Sequence, residues 1–288
     1  MRLDGREESN NIEDRRFEQT PRRRVGGKTS LTSLLLIGVI TYIMSGGDIG
    51  AVLQAVLSNA TQSAPTQSVS QRASSHDQQY AKLVGVVLKD TEDIWSNELR
   101  KYGITYHKPK LVLYRGVTKS GCGMAQNAMG PFYCPVDQKV YLDLSFFDEL
   151  QNRFGAKGDF AEAYVIAHEV AHHVQNELGI LEKVHQAQRR SSKIQANKLS
   201  VKLELQADCF SGVWAKLDEK KNHILEAGDI DEALNAASQI GDDTLQKKAQ
   251  GYVVPDSFTH GTSKQRREWF YRGFQSGDIN ACNTFKVL

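Results

Sequence analysis

The segment His168-Glu169-Val170-Ala171-His172 sets two histidines four residues apart, with a glutamate beside the first. On an α-helix such positions lie one above the other, so both imidazoles can reach one ion from the same face. Glu169 projects about a quarter turn away, placed for a water on that ion rather than for the ion itself. The flanking residues favour a helix. Asp159 is expected to cap its start, with Glu162 three residues on completing a box-like pair. Phe160, Ala163, Tyr164, Ala167, Ala171, Val174 and Leu178 recur at helical period, and Gly179 fits the stop. The two histidines sit on the flank of this apolar stripe, where a half-buried metal site belongs. The alternative is a pair of hydrogen-bonded histidines at the core edge, with Glu169 a surface charge.

A catalytic zinc takes three protein ligands and keeps one position for water, so a third donor is needed on another element. In Val201–Phe210 the apolar positions Leu203, Ala207 and Phe210 continue to Trp214 and Leu217 at spacings of three and four, which predicts a helix with a buried stripe. Glu204 and Asp208 stack four apart on its flank. Carboxylates beside a core face are unfavourable unless paired or bound to metal. Glu204 as ligand, with Asp208 accepting from a ligand histidine N–H, would satisfy both. A solvated pair at the core edge is the other reading.

The stretches AYVIAHEVAHHVQ and ELQADCFSGVW together resemble the gluzincin metallopeptidases, in which H-E-x-x-H is followed on a later helix by E-x-x-A-D. More narrowly, the chain resembles a bacterial family of neutral zinc metallopeptidases, through REESNNIEDRR, SGCGMAQNAMGPFYCP, VYLDLSFF and THGTSKQRREWFYRGFQSG. That resemblance implies one zinc ion per chain at His168, His172 and Glu204, with Glu169 as general base. It names no substrate. In such chemistry Glu169 takes a proton from the attacking water and passes it to the leaving amine. A further donor normally holds the oxyanion. His260, in a Gly- and hydroxyl-containing loop before QRREWFYRGF, is the first candidate, with Tyr133, Tyr141 and Tyr252 as competitors. The alternating segment Lys139–Leu144 is either a sheet edge that could pair with a peptide or an interior strand. His173, just after the second histidine, is read as structural or solvated. The basic residues Arg189, Arg190, Lys193, Lys198 and Lys202 are read as a solvated face.

The 288 residues carry a net charge near +2, which makes no case for nucleic acid as a partner. The charge is unevenly spread. Residues 1–28 are polar and basic, whereas Thr29–Gly47 carries no charge and Leu31–Met44 is strongly apolar, just long enough for a short spanning helix. The expected organisation is therefore a cytoplasmic basic tail (1–28), a transmembrane anchor (29–57), a Ser/Gln/Thr-rich flexible linker (58–77) and a zinc metallopeptidase domain (78–288). By the charge bias, the anchor would sit in the lipid bilayer of a bacterial inner membrane, single-pass, with the catalytic domain periplasmic or otherwise extracytoplasmic. A cleavable signal peptide is the rival reading. Cys122, Cys134, Cys209 and Cys282 form no C-x-x-C pair, which argues against a cysteine zinc finger. Two disulfides are compatible with export; 122–134 with 209–282 is the preferred pairing, with the other connectivities and free thiols open.

The expected fold is α+β: a mainly helical zincin-like domain with a small β-sheet, preceded by one transmembrane helix. The expected activity is zinc-dependent hydrolysis of peptide bonds in a peptide or protein substrate. A zinc amidase acting on cell-wall peptide, or a catalytically silent membrane-tethered interaction module, are the alternatives.

Overall fold

The structure is a computed structural model that describes residues 1–18, 74–126 and 129–286. Met1–Glu18 and Ala73–Leu288 form one compact unit. Gln19–Arg72 form the other, and lie outside the described residues. The first unit is a mainly helical α+β fold with small sheets.

Helix α1 (Ser75–Arg100) begins on a cap in which the Ser74 side chain accepts from the Asp77 backbone N–H. It therefore starts inside the stretch expected to be linker. It buries Val84, Val87, Leu88, Trp95 and Leu99. A four-stranded sheet follows, in the order β1-β2-β6-β5. Its strands are β1 (Ile12–Asp14), β2 (Lys110–Tyr114), β5 (Phe132–Cys134) and β6 (Lys139–Asp143). β1, β2 and β6 run parallel, and β5 runs antiparallel to β6. β6 thus lies inside the sheet and is buried at Val140 through Asp143. The edge on that side is β5 instead, with β1 at the other. A separate hairpin, β3 (Val117–Ser120) with β4 (Gly123–Gln126), is tied to the sheet by the Cys122–Cys134 disulfide.

Among the described residues seven further α-helices follow: α2 (Ser145–Asn152), α3 (Asp159–Glu177), α4 (Ile180–Arg189), α5 (Lys193–Asn222), α6 (Asp229–Gln239), α7 (Asp242–Gln250) and α8 (Ser263–Ser276). α3 carries the H-E-x-x-H segment and is buried almost all round, between α1, α5, α6 and the β5–β6 end of the sheet. Its N-cap is Gly158 rather than Asp159. Gly158 has φ +109°, and a Cβ there would stand 2.0 Å from the Glu232 carboxylate, so a side chain has neither the conformation nor the room. Asp159 instead meets the Met1 ammonium at 2.7 Å, and Glu162 is buried against the Gln151 amide rather than capping. The Cys209–Cys282 disulfide closes the far end, where α5 meets the C-terminal segment.

The expected single-pass placement does not hold. Among the described residues no helix is long and apolar enough to cross a membrane, and the run 31–44 lies outside them. Nor do residues 1–18 stand apart as a tail. Ile12, Glu13 and Asp14 pair with Leu111, Val112 and Leu113, and Ser9 donates its backbone N–H to the Gly85 carbonyl. A segment hydrogen-bonded into the domain's own sheet cannot lie across a bilayer from that domain.

The same N-terminal segment delivers Arg6 to two buried carboxylates, Asp90 on α1 and Asp218 on α5. Asn222 donates to Asp218 at 2.6 Å, and Lys221 bears on it from outside. Burial, then the charge of Asp218, push Asp90 up to about 8, well above its ordinary 3.8. An acid whose folded pKa is raised holds its proton in the native state after the unfolded chain has released it. Its contribution to stability is complete below pH 4 and is lost as pH rises through about 8. Asp90→Asn imitates the protonated form. Its melting temperature should therefore fall less between pH 5 and pH 8 than that of the parent chain. Parallel melting-temperature profiles for the two proteins would contradict this assignment.

Candidate metal centre

Helical spacing on α3 stacks His168 over His172, and their rings lie 4.9 Å apart and perpendicular. α5 crosses α3 so that Glu204 faces both. Glu204 Oε2 is 3.1 Å from His168 Nε2, and Glu204 Oε1 is 3.4 Å from His172 Nε2. One donor atom from each of the three residues lies within 4.8 Å of the others. A tetrahedral zinc with bonds of about 2.0–2.1 Å spaces its donors roughly 3.3 Å apart, and this set fits. His168 is buried, while His172 and Glu204 are half-buried and face a cleft of about 750 Å³. Glu169 lines the same cleft, 9% exposed. Burial raises its carboxyl pKa, in the direction that suits a base working near neutral pH.

The outward nitrogens of both rings are held. Nδ1 of His168 lies 2.9 Å from Asp208 Oδ1. Because a carboxylate only accepts, Nδ1 carries a proton towards Asp208, and Nε2 faces the Glu204 carboxylate in the same way. Burial, which lowers the ring's pKa, is outweighed by these two carboxylates, which raise it to about 10, so a metal would take the place of the Nε2 proton. Tyr164, one turn before His168, donates its hydroxyl to the same oxygen at 2.6 Å. Arg266 of α8 grips Asp208 with two bonds, Nε to Oδ2 and Nη2 to Oδ1, each 2.9 Å, and reaches the Tyr164 hydroxyl at 3.2 Å. Burial alone would raise Asp208. The Arg266 and His168 charges outweigh it and bring the carboxyl down to about 2. Nδ1 of His172 lies 2.9 Å from Gln175 Oε1. The Gln175 amide nitrogen donates to the Leu203 carbonyl and to Gln206, so its oxygen is left to face His172.

His260 opens on the cleft from the loop before α8. Its Nδ1 lies 3.1 Å from Asp242 Oδ1, and the backbone N–H groups of Thr259, His260 and Gly261 all donate to Asp242 Oδ2. Burial would lower the His260 pKa, and the Asp242 hydrogen bond reverses that, raising it. Of the three tyrosines, Tyr141 and Tyr252 fall elsewhere. Tyr133 lines the cleft, but its hydroxyl lies 3.1 Å from His173 Nδ1. Tyr141 donates to Asp137 at 2.6 Å, and Tyr252 is exposed in the loop after α7. His173 is buried rather than solvated, and its Nε2 donates to the His107 carbonyl.

Arg266, Asp242, Gln175 and Tyr164 carry roles that the sequence reading did not assign. Tyr164 and Gln175 had a signal, since they lie one turn either side of the histidines on the same helix. Arg266 and Asp242 had none, since α8 and α7 reach the centre only through tertiary packing.

The chain matches, over residues 1–285, the family described as "Putative neutral zinc metallopeptidase". It is 50% identical over 292 residues to the uncharacterized protein YpfJ of Escherichia coli K12, covering 99% of each chain. It is 42% identical over 192 residues to an uncharacterized protein of Mycobacterium tuberculosis H37Rv, covering 63% of this chain and 64% of that one. No solved structure matches it significantly. The family's name implies zinc, and the chain belongs to this neutral zinc metallopeptidase family.

Proposed function

We propose that this protein is a zinc-dependent peptidase that hydrolyses peptide bonds, with one ion held by His168, His172 and Glu204. The observation that carries this reading is the convergence of three donor atoms within 4.8 Å on an open cleft that Glu169 also lines. Zinc, when bound, would supply Lewis acidity and a water whose pKa falls to about 7. Glu169 takes the proton of the attacking water and returns it to the leaving amine. His260, kept protonated to higher pH by Asp242, donates to the developing oxyanion. Asp208, Tyr164 and Arg266 hold the His168 ring, and Gln175 holds the His172 ring, so neither ligand reorients as charge develops. The edge strand β5 offers its free side to an extended peptide, whose backbone can pair along it.

The test is metal-dependent cleavage by the full chain. Zinc-loaded protein should cut casein or a mixed peptide pool, lose the activity to a chelator, and regain it on zinc addition. Stoichiometric zinc with no cleavage of any peptide would overturn the reading. His260→Ala should lower kcat by about a hundredfold to a thousandfold with KM little changed, as expected for loss of one oxyanion donor. Asp242→Ala should move kcat in the same direction by a smaller factor. A His260→Ala variant with parental kcat would remove that residue from the mechanism.

A further inference from the structure

The hairpin of α4 and α5 carries a cluster of positive charge beside the mouth of the cleft. Arg190 closes the end of α4, and Lys193 and Lys198 stand on the first two turns of α5, all three exposed. Lys247, in the last turn of α7, adds a fourth exposed cation. Among the described residues none of the four takes part in an ion pair. The first turn of α5 holds no carboxylate either, so the positive end of its helix dipole adds to the charge. A face that meets only water needs no apolar side chains, yet this one has them. Ile194 is 43% exposed and Tyr252 63%, and Val253 and Val254 are exposed next in the loop. The Asn197 amide donates to the Asp256 backbone carbonyl at 2.8 Å, which holds this loop against the first turns of α5. The Gln246 side chain accepts from the Val254 N–H at 2.8 Å and ties the loop to α7. The loop supplies a single acid, Asp256. Gln188 and Ser200 of the hairpin and Leu245 of α7 line the cleft, so the surface continues outward from it.

Cations placed around exposed apolar side chains suit an anionic partner. The charge steers the approach, and the apolar centre is what leaves water on contact. We propose that this surface is a docking site for an acidic segment of a polypeptide, in which carboxylates alternate with aliphatic or aromatic residues. A polypeptide is favoured over an anionic bilayer because the surface runs directly into the cleft, where the reading above has peptide bonds cut. The segment binds outside the cleft and presents a neighbouring stretch of the same chain to it. This assignment rests on the peptidase reading, and the experiment separates the two.

Binding is measured on zinc-loaded full-length protein carrying Glu169→Gln, so that no peptide is consumed. The probe is a labelled peptide in which Glu and Leu alternate, set against the same peptide with Gln for every Glu. The Glu peptide should bind at least about tenfold more tightly, the sum of several exposed charge contacts, and the difference should shrink at high salt. The double reversal Arg190→Glu with Lys193→Glu should remove most of that preference. Both side chains are exposed, so the fold and the zinc content should stay as they are. Equal affinity for the two peptides, or an unchanged preference in the charge-reversed protein, overturns the docking site. Capture by phosphatidylglycerol vesicles with no preference for the Glu peptide overturns it as well, and assigns the surface to lipid. With Glu169 restored, an acidic stretch appended to a cleaved peptide should lower KM by about tenfold at constant kcat, and the double reversal should cancel that gain. A Glu preference that the reversal removes, with no cleavage of any peptide carrying the acidic stretch, upholds the docking site and overturns the peptidase reading instead.

Discussion

Replacing Glu169 with Gln should reduce peptide cleavage by about two to four orders of magnitude while leaving zinc content unchanged. The substitution keeps the shape of the side chain and removes only its capacity to take a proton. Glu169 is not among the three residues whose donor atoms converge, so the ion should stay. It lies at the cleft wall, 9% exposed, where burial disfavours its charged form and raises its pKa. A carboxylate in that state is a better match to a water near neutrality than an ordinary surface glutamate. Metal analysis and steady-state rates on the same preparations make the check. Undiminished cleavage in a zinc-loaded Glu169→Gln protein would sink the proposed base. Loss of zinc together with activity would mean that Glu169 acts on the ion's affinity rather than as a base.

The second large effect is expected far from any reacting atom, where α5 crosses α8. The two helices touch backbone to backbone. A Cβ on Gly273 would stand 1.9 Å from the Cys209 carbonyl oxygen, and one on Gly212 would stand 2.0 Å from the Phe270 carbonyl oxygen. Neither obstacle is a flexible side chain that can move aside, so a whole helix must shift. Gly273→Ala should destabilise the protein by roughly 3 kcal/mol, at the upper end of ordinary overpacking. For a chain of this size that corresponds to a melting temperature lower by about 6–12 °C. Arg266 lies two turns before Gly273 on α8, and Asp208 and Cys209 lie one turn before Gly212 on α5. A displaced α8 therefore also slackens the Arg266 grip on Asp208. Zinc affinity should fall by about 10- to 100-fold, the usual effect of losing an outer hydrogen-bond partner of a metal ligand. Thermal melts and chelator competition test both halves. A Gly273→Ala protein with parental melting temperature and zinc affinity would show that the crossing relaxes freely.

The parts of the candidate site that could be read in the chain are those set by helical repeat. His168 and His172 are neighbours because four residues nearly complete one turn, and the same arithmetic stacks Glu204 with Asp208. Even so, a local reading misplaced the start of α3. It assigned the cap to Asp159, whose carboxylate is taken by Met1, while Gly158 holds the cap position under the Glu232 side chain. The reading also separated residues 1–18 from the domain, because the three-residue strand β1 is too short to leave a pattern and its pairing with β2 spans about a hundred residues. With that pairing, the expected placement of the tail across a membrane from the domain fell.

Local periodicity thus determined which helix faces carry the imidazoles, the carboxylates and the base, because a helix's geometry is the same wherever it occurs. Only the tertiary structure decided how those faces are completed. Asp242 aligns His260, and Arg266 and Tyr164 steady Asp208. These contacts depend on helices packed at glycine-thin crossings and on strands paired across long sequence distances. No spacing along the chain encodes them, because the free energy that selects them comes from surfaces that meet only once the whole unit has folded.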